Sequence, residues 1–243
     1  MLEFLDVDYR YKGEITKALS GFNFSAEAGQ VNAVLGPNGS GKSTALGIAA
    51  GWLKPTAGSF HSDGQVAYLP QSERLAFSFS ALEYVTFGRA PHLPYLGIPG
   101  GRDRALARKA LARVGMDAHA DKRVTALSGG ELQLVRLARA LVQEASWAIL
   151  DEPTDMLDPA HVIAVGDAIR DIVRTGGGVL LSTHDIAFAL AVADIAVLLK
   201  DGSVATCGPA RETLIPDRLS ALYGVPFALE TTPAPRHSTA RRS

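Results

Sequence analysis

Hydrophobic residues fall along this chain in two alternating rhythms, and the alternation predicts the architecture. Leu2 to Asp8 interleaves apolar with acidic or polar positions, as a strand does. A second strand is expected at Leu19 to Ser25, and Ala28-Gly29-Gln30 turns the chain into the apolar run Val31-Asn32-Ala33-Val34-Leu35. Residues 55–64 are rich in turn formers (Pro55-Thr56-Ala57-Gly58, then Asp63-Gly64) and lead to a strand at Gln65–Leu69. From about Ser72 to Thr125 the rhythm becomes helical. Arg102 to Val114 sets Leu106, Ala110 with Leu111, and Val114 on one face and arginines around the other, after a Pro- and Gly-rich loop at Ala90 to Gly101. Beyond Leu127 the pattern predicts a helix at Glu131–Glu144, a strand at Trp147–Leu150 and a helix from Pro159 to about Thr175. A strand at Val179–Thr183, a helix at Ile186–Ala193 and a strand at Ile195–Leu199 follow, and Asp201-Gly202 makes a tight hairpin turn into Ser203–Cys207. Strands alternating with helices imply an α/β fold with a largely parallel sheet. Its core is expected at 1–71 and 126–228, with 72–125 inserted as a helical subdomain. The tail, 229–243, has no apolar periodicity and is expected to be disordered.

The bulk numbers narrow this picture. A length of 243 residues suits one large domain, or a core carrying a smaller subdomain. The net charge of −1 points to no bulk electrostatic attraction for nucleic acid or anionic membrane. Cys207 is the only cysteine, which fits a reducing compartment, and it reads as a small buried apolar residue. The acidic start, Met1-Leu2-Glu3-Phe4-Leu5-Asp6, is too interrupted for a secretion signal. Val179 to Leu199, the most apolar stretch, is broken by His184, Asp185 and Asp194 and does not read as a membrane span.

Candidate chemistry begins between the strand at 31–35 and the helical run after it, with Gly36-Pro37-Asn38-Gly39-Ser40-Gly41-Lys42-Ser43-Thr44. Gly36, Gly41, Lys42 and Ser43 match G-x-x-x-x-G-K-[ST], a loop whose backbone N–H groups surround phosphate oxygens. Lys42 is expected to reach the β- and γ-phosphates of a nucleotide, and the Ser43 hydroxyl to ligate Mg²⁺. Such a loop alone leaves GTPases, kinases and ATPases open. Trp147-Ala148-Ile149-Leu150-Asp151-Glu152 adds two carboxylates at a strand tip, where a parallel sheet places ligands. Asp151 is suited to the Mg²⁺ shell, and Glu152 to orienting or deprotonating a water. Leu127-Ser128-Gly129-Gly130-Glu131 is a second glycine-rich helix start, readable as a cap or as another anion site.

Taken together, these pieces resemble an ATP-binding cassette (ABC) ATPase over residues 2 to 228. The motifs are GPNGSGKST at 36–44, Gln71 in YLPQSE, LSGGE at 127–131, WAILDEP at 147–153, MLDP at 156–159 and STHD at 182–185. The resemblance implies a P-loop NTPase (RecA-like) core with a mostly parallel sheet, an N-terminal antiparallel β part and an inserted α-helical subdomain. It also implies ATP and Mg²⁺ as cofactors, and a head-to-tail homodimer sandwiching two ATP molecules. Residues 36–44 of one copy would then face Ser128, Gly129 and Gly130 of the other. By the same match Tyr11 would stack on adenine, with Tyr9 as a substitute. Gln71 would sense Mg²⁺ and water and link the site to the helical subdomain; His184 would contact the γ-phosphate, and Asp158 would act across the dimer. The chain departs from the family pattern at Glu131 (usually Gln), at Leu134 (commonly basic), and at Asp155-Met156-Leu157-Asp158 in place of Ser-Ala-Leu-Asp. None of these removes a residue needed for hydrolysis, so an active ATPase is expected.

Finer resemblance lies in Phe87-Gly88-Arg89-Ala90-Pro91-His92 and in Leu222-Tyr223-Gly224-Val225-Pro226. Both are similar to importers of metal chelates (iron–siderophore, haem, cobalamin) or of molybdate. That implies two transmembrane permease subunits, a groove at 72–101 for a permease helix, and an extracytoplasmic substrate-binding protein. The place of work would be the cytoplasmic face of the inner membrane. The alternatives are a soluble cassette ATPase with an assembly role and a small-molecule kinase, in which residues 127–131 have no place.

Overall fold

The computed structural model describes residues 1–73 and 78–228. Its larger sheet has six strands in the order β5-β6-β7-β3-β8-β9. They are β3 (Val31–Leu35), β5 (Val66–Leu69), β6 (Trp147–Asp151), β7 (Gly178–Ser182), β8 (Ile195–Lys200) and β9 (Ser203–Pro209). All neighbours pair in parallel except β9, which returns antiparallel along β8. Strands β3, β6 and β7 are buried at every residue, which is why they read as nearly continuous apolar runs, interrupted at Asn32 and ending in Asp151 and Ser182. A second, antiparallel sheet has the order β2-β1-β4, built from β1 (Leu2–Tyr9), β2 (Leu19–Ala26) and β4 (Ala57–Ser62).

The period of two along the strands feeds two cores. Val34, Ile149, Leu180 and Val197 pack with Leu46 and Ile48 of α1 (Lys42–Ala49) and with Phe4 and Phe22 of the small sheet. Leu35, Leu150, Leu181 and Leu198 point the other way, toward Ile169 of α5 (Pro159–Arg174) and Phe188 of α6 (Ile186–Val192). That second core runs on into helices α2 (Ala81–Thr86), α3 (Gly101–Arg113) and α4 (Gly129–Leu141), where Val85, Leu111, Leu134 and Leu137 are fully buried.

Three expectations are corrected. Residues 57–62 form an edge strand rather than turns alone, with Phe60 paired to Phe4; Ala57-Gly58-Ser59 carry no apolar alternation, and the strand is specified by its partner. Cys207 is exposed, because it stands on the outward face of the edge strand β9. Within the expected 90–101 loop, Ala90–His92 belong to a 3₁₀ turn that starts at Phe87. Two short helices, α7 (Ala210–Thr213) and α8 (Pro216–Tyr223), follow β9. The tail expected at 229–243 lies outside the described residues.

Parallel strands place all their carboxyl ends on one side. The register pairs Leu69 with Leu150 and Asp151 with Ser182, so the residues that follow β3, β5, β6 and β7 leave the sheet along one edge. These residues are Gly36, Gln71, Glu152 and His184.

Candidate nucleotide site

The loop after β3 closes tightly enough to demand glycine at two places. A Cβ on Gly36 would lie 2.2 Å from the Leu199 carbonyl oxygen. Gly41 has φ +106°, and a Cβ there would lie 2.4 Å from the carbonyl of Ala18. The Ser40 carbonyl accepts from Gly202 N–H at 3.0 Å, which ties the loop to the β8–β9 turn. Lys42 donates its ammonium to the carbonyls of Gly36 (2.8 Å) and Pro37 (3.1 Å). Burial pulls the Lys42 pKa below its ordinary value, and Glu152 and Asp151 partly oppose that. Helix α1 starts behind Gly41 without a side-chain cap among the described residues, so its first N–H groups remain available to an anion.

The carboxylates at the end of β6 are buried beside this loop. Asp151 Oδ1 accepts from the Ser182 hydroxyl and, at 3.3 Å, from the Ser43 hydroxyl. Ser182 Oγ in turn accepts from Glu152 N–H at 3.0 Å, so one serine orients both acidic residues. Glu152 holds φ +48°, a left-handed conformation uncommon outside glycine, and its Oε2 lies 2.9 Å from Nδ1 of the exposed His184. A cleft of about 280 Å³ is lined by Tyr11, Asn38, Gly39, Gly41, Lys42, Ser43, Thr44, Gln71 and Glu152. Tyr11 stands against α1 with its hydroxyl 3.1 Å from Thr44 Oγ1, and Tyr9 packs edge-on against it at 4.9 Å.

A nucleotide and its metal fit this donor set. The cradle is formed where side chains cannot be, and the buried Ser40 Oγ has no partner among the described residues. Ser43 and Asp151 offer hard oxygens on the same side of the loop, and Mg²⁺ needs only one or two such protein ligands beside phosphate and water.

Ser128, Gly129, Gly130 and Asp158 are not among the residues lining this cleft. They lie at two other helix starts. Ser128 caps α4 through a reciprocal box: its hydroxyl accepts from Glu131 N–H at 3.2 Å, while the Glu131 carboxylate accepts from Ser128 N–H at 2.7 Å. Lys122 (3.2 Å) and His119 (3.3 Å) flank that carboxylate. Glu131 is held down at about 2, chiefly by the Ser128 N–H and then by Lys122. Asp158 caps α5, accepting from His161 N–H at 3.0 Å, and that bond lowers its pKa. The two starts touch: a Cβ on Gly130 would come within 3.3 Å of Leu157 and of the Met156 carbonyl. Leu134, the apolar departure, is fully buried in the core.

Ser182 is the functional side chain that sequence reasoning missed. The STHD stretch was legible, but the role of its serine depends on the Asp151–Ser182 register across two strands.

A family profile described as ABC transporter matches residues 19–155. The hemin import ATP-binding protein of Gloeobacter violaceus is 38% identical over 223 residues, covering 84% of this chain and 80% of that protein. The one from Pseudomonas entomophila is 35% identical, covering 96% and 97%. The cobalamin import ATP-binding protein of Halobacterium salinarum is 36% identical, covering 90% of this chain and 58% of its own length. Among solved structures, a metal-chelate type ABC transporter in an inward-facing conformation superposes with a TM-score of 0.84 at 31% identity, covering 93% of this chain and 89% of the other. A dimeric cassette in a post-hydrolysis state with ADP and Pi superposes at 0.80 and 28% identity, covering 87% and 99%. The chain belongs to the ABC transporter family, as one of its ATP-hydrolysing cassettes.

Proposed function

We propose that this ATPase drives import of a metal chelate, of the hemin or cobalamin class, through a separate permease. The observation that carries the reading is the pair of phosphate-competent helix starts. One lines a cleft beside the buried carboxylates and the other is exposed at Ser128, in a chain whose relatives are named import ATP-binding proteins. Two copies arranged head to tail use both starts at each ATP, with Ser128 to Gly130 donating to phosphate held by residues 36–44 of the other copy. The Ser128 hydroxyl already accepts from Glu131 N–H, so its own proton is free to donate outward.

Within one site Lys42 and the loop N–H groups bind the phosphates, and Ser43, Asp151 and Gln71 hold Mg²⁺, which neutralises phosphate charge. Tyr11 stacks on the base. Glu152 accepts the proton of the attacking water, His184 contacts the γ-phosphate, and Asp158 acts at the copy-to-copy boundary. No helix among the described residues is long and apolar enough to cross a membrane. On this reading, attachment to the cytoplasmic face of the inner membrane runs through two permease subunits, with an extracytoplasmic binding protein delivering cargo to them. A groove of about 830 Å³ lined by Trp52, Tyr68, Phe87 and Pro91 among others suits an inserted permease helix, and Trp52 is 75% exposed there.

The test is reconstitution in proteoliposomes with a hemin- or cobalamin-class permease and its binding protein, taken from beside this chain's gene if they are encoded there. ATP-dependent accumulation of hemin or cobalamin supports the reading. A cassette that turns over ATP but neither co-purifies with a polytopic membrane protein nor supports uptake overturns it.

A further inference from the structure

Helix α4 carries two polar side chains into the interior, and their direction is informative. Gln133 is 5% exposed and Arg136 is 6% exposed. Burying a guanidinium is costly unless its donors are matched, and an apolar side chain of similar volume is often at least as stable. Here the donors are spent on the loops that leave the sheet at the nucleotide cleft. Arg136 donates to the carbonyl of Pro70, to Gln133 Oε1 at 2.8 Å and toward the Gln71 carbonyl at 3.5 Å. Gln133 Nε2 passes the link on, donating to the Glu152 carbonyl at 3.3 Å and toward that of Pro153 at 3.5 Å.

Arg136 and Gln133 thus form one bridge between the backbone just after β5 and the backbone just after β6. A second arginine on the same helix extends it outward. Arg139 pairs both guanidinium nitrogens with Glu73 (3.0 and 2.8 Å) and lies 4.6 Å above the ring of Tyr84, whose hydroxyl donates to Glu73 at 2.7 Å. Arg136 Nε lies 3.7 Å from the same carboxylate and has no hydrogen-bond partner among the described residues. The bridge is therefore anchored to α2 at one end and to the strained residue 152 at the other.

We propose that Arg136 is a positioning residue for ATP hydrolysis: through Gln133 and the Pro70–Gln71 backbone it fixes the separation of Gln71 from Glu152. The inference rests on the proposed roles of those two residues in turnover. It adds a mechanical consequence, because Arg136 and Ser128 share one helix. They are eight residues apart, roughly 12 Å along the axis, so a shift of α4 produced at Ser128 reaches both loops together.

The experiment compares Arg136→Met, Arg136→Lys, Gln71→Ala and the Arg136→Met/Gln71→Ala double variant in the full chain. It measures steady-state phosphate release and the affinity for a fluorescent ATP analogue. A positioning role predicts that both Arg136 variants lose about tenfold or more in kcat, with KM and analogue affinity within about threefold of wild type. Lysine fails to rescue because a point ammonium cannot serve two carbonyls and Gln133 at once. The double variant falls no further than the worse single one. Unchanged kcat in a folded Arg136→Met, or losses that multiply in the double variant, overturns the proposal. If methionine at 136 lowers Tm below the assay temperature, Gln133→Met decides instead, since it cuts the same bridge at its other member; wild-type kcat there overturns the proposal. Should Gln71→Ala and Glu152→Gln both keep wild-type turnover, the roles assigned to those residues fail, and the positioning proposal falls with them. A defect in both of those variants together with a normal Arg136→Met refutes positioning alone.

Discussion

The starts of α1 and α4, to which the same electrostatic job is assigned by proposal, are built in opposite ways. At α1 the cap residue is a glycine, the lysine that opens the helix is buried, and the loop before it is tied to the turn after β8. At α4 the cap is a serine–glutamate box whose Ser128 and Gly129 are exposed and whose packing neighbours are Met156 and Leu157 of the same chain. The first leaves its N–H groups open by having no side chain to fill them. The second occupies N–H donors with its own side chains and keeps a hydroxyl proton for use outward. The half held in the chain's own core, the closed half, is kept in order by the burial of Lys42 and by the tie to the turn after β8. A site completed by another surface has to stay ordered while it waits, and a capping box supplies that order locally.

The sharpest way to break this contrast is at Glu152, which belongs wholly to the closed half. Glu152→Gln is expected to lower kcat by about a thousandfold while leaving nucleotide affinity near wild type, because a positioned base is worth 10²–10⁴ and phosphate binding does not need it. Phosphate release and equilibrium nucleotide binding check this; normal hydrolysis removes Glu152 from the role of base.

The open half is tested by mixing. Lys42→Ala and Ser128→Arg are each expected to cut turnover by about a hundredfold, the loss seen when a preorganised phosphate donor is removed. Combined in one tube, the two proteins are expected to regain activity, since a mixed pair contains one site with Lys42 from one copy and Ser128 from the other. Activity that stays at the level of the separate variants means that both helix starts serve a site inside a single chain.

Within the closed half, Ser182→Ala is expected to cost about tenfold in kcat and about 1–3 kcal/mol in stability, because it strips a donor from buried Asp151 and an acceptor from Glu152 N–H. Chemical denaturation alongside kinetics separates the two losses. The smallest effect is expected at Glu131→Gln, within about twofold in kcat, since glutamine also completes a capping box. Its signature is pH dependence. Glu131 is held at about 2 against an ordinary 4.5, so the stabilisation from its charge is complete above about 4.5 and is lost as pH falls toward 2. The Tm difference between wild type and Glu131→Gln should shrink as pH falls below about 4.5.

Much of this was legible because the core strands carry their message locally. Val31 to Leu35, Trp147 to Asp151 and Gly178 to Ser182 are buried on both faces and read as apolar runs, and the glycines at 36 and 41 announce a loop that excludes side chains. What escaped was specified by partners far along the chain. Ala57 to Ser62 becomes a strand only against β1, and Cys207 is exposed only because β9 ends up at an edge. Ser182 and Arg136 look ordinary in sequence. Their roles arise from a register between strands and from a helix laid across two loop backbones, and no local pattern encodes either.

The left-handed backbone of Glu152 has an evolutionary consequence. A buried non-glycine residue at φ +48° carries a backbone cost that glycine would not, so glycine at position 152 would relieve that cost while giving up the proposed base and its contacts to His184. Backbone ease and turnover therefore place opposite demands on this one residue.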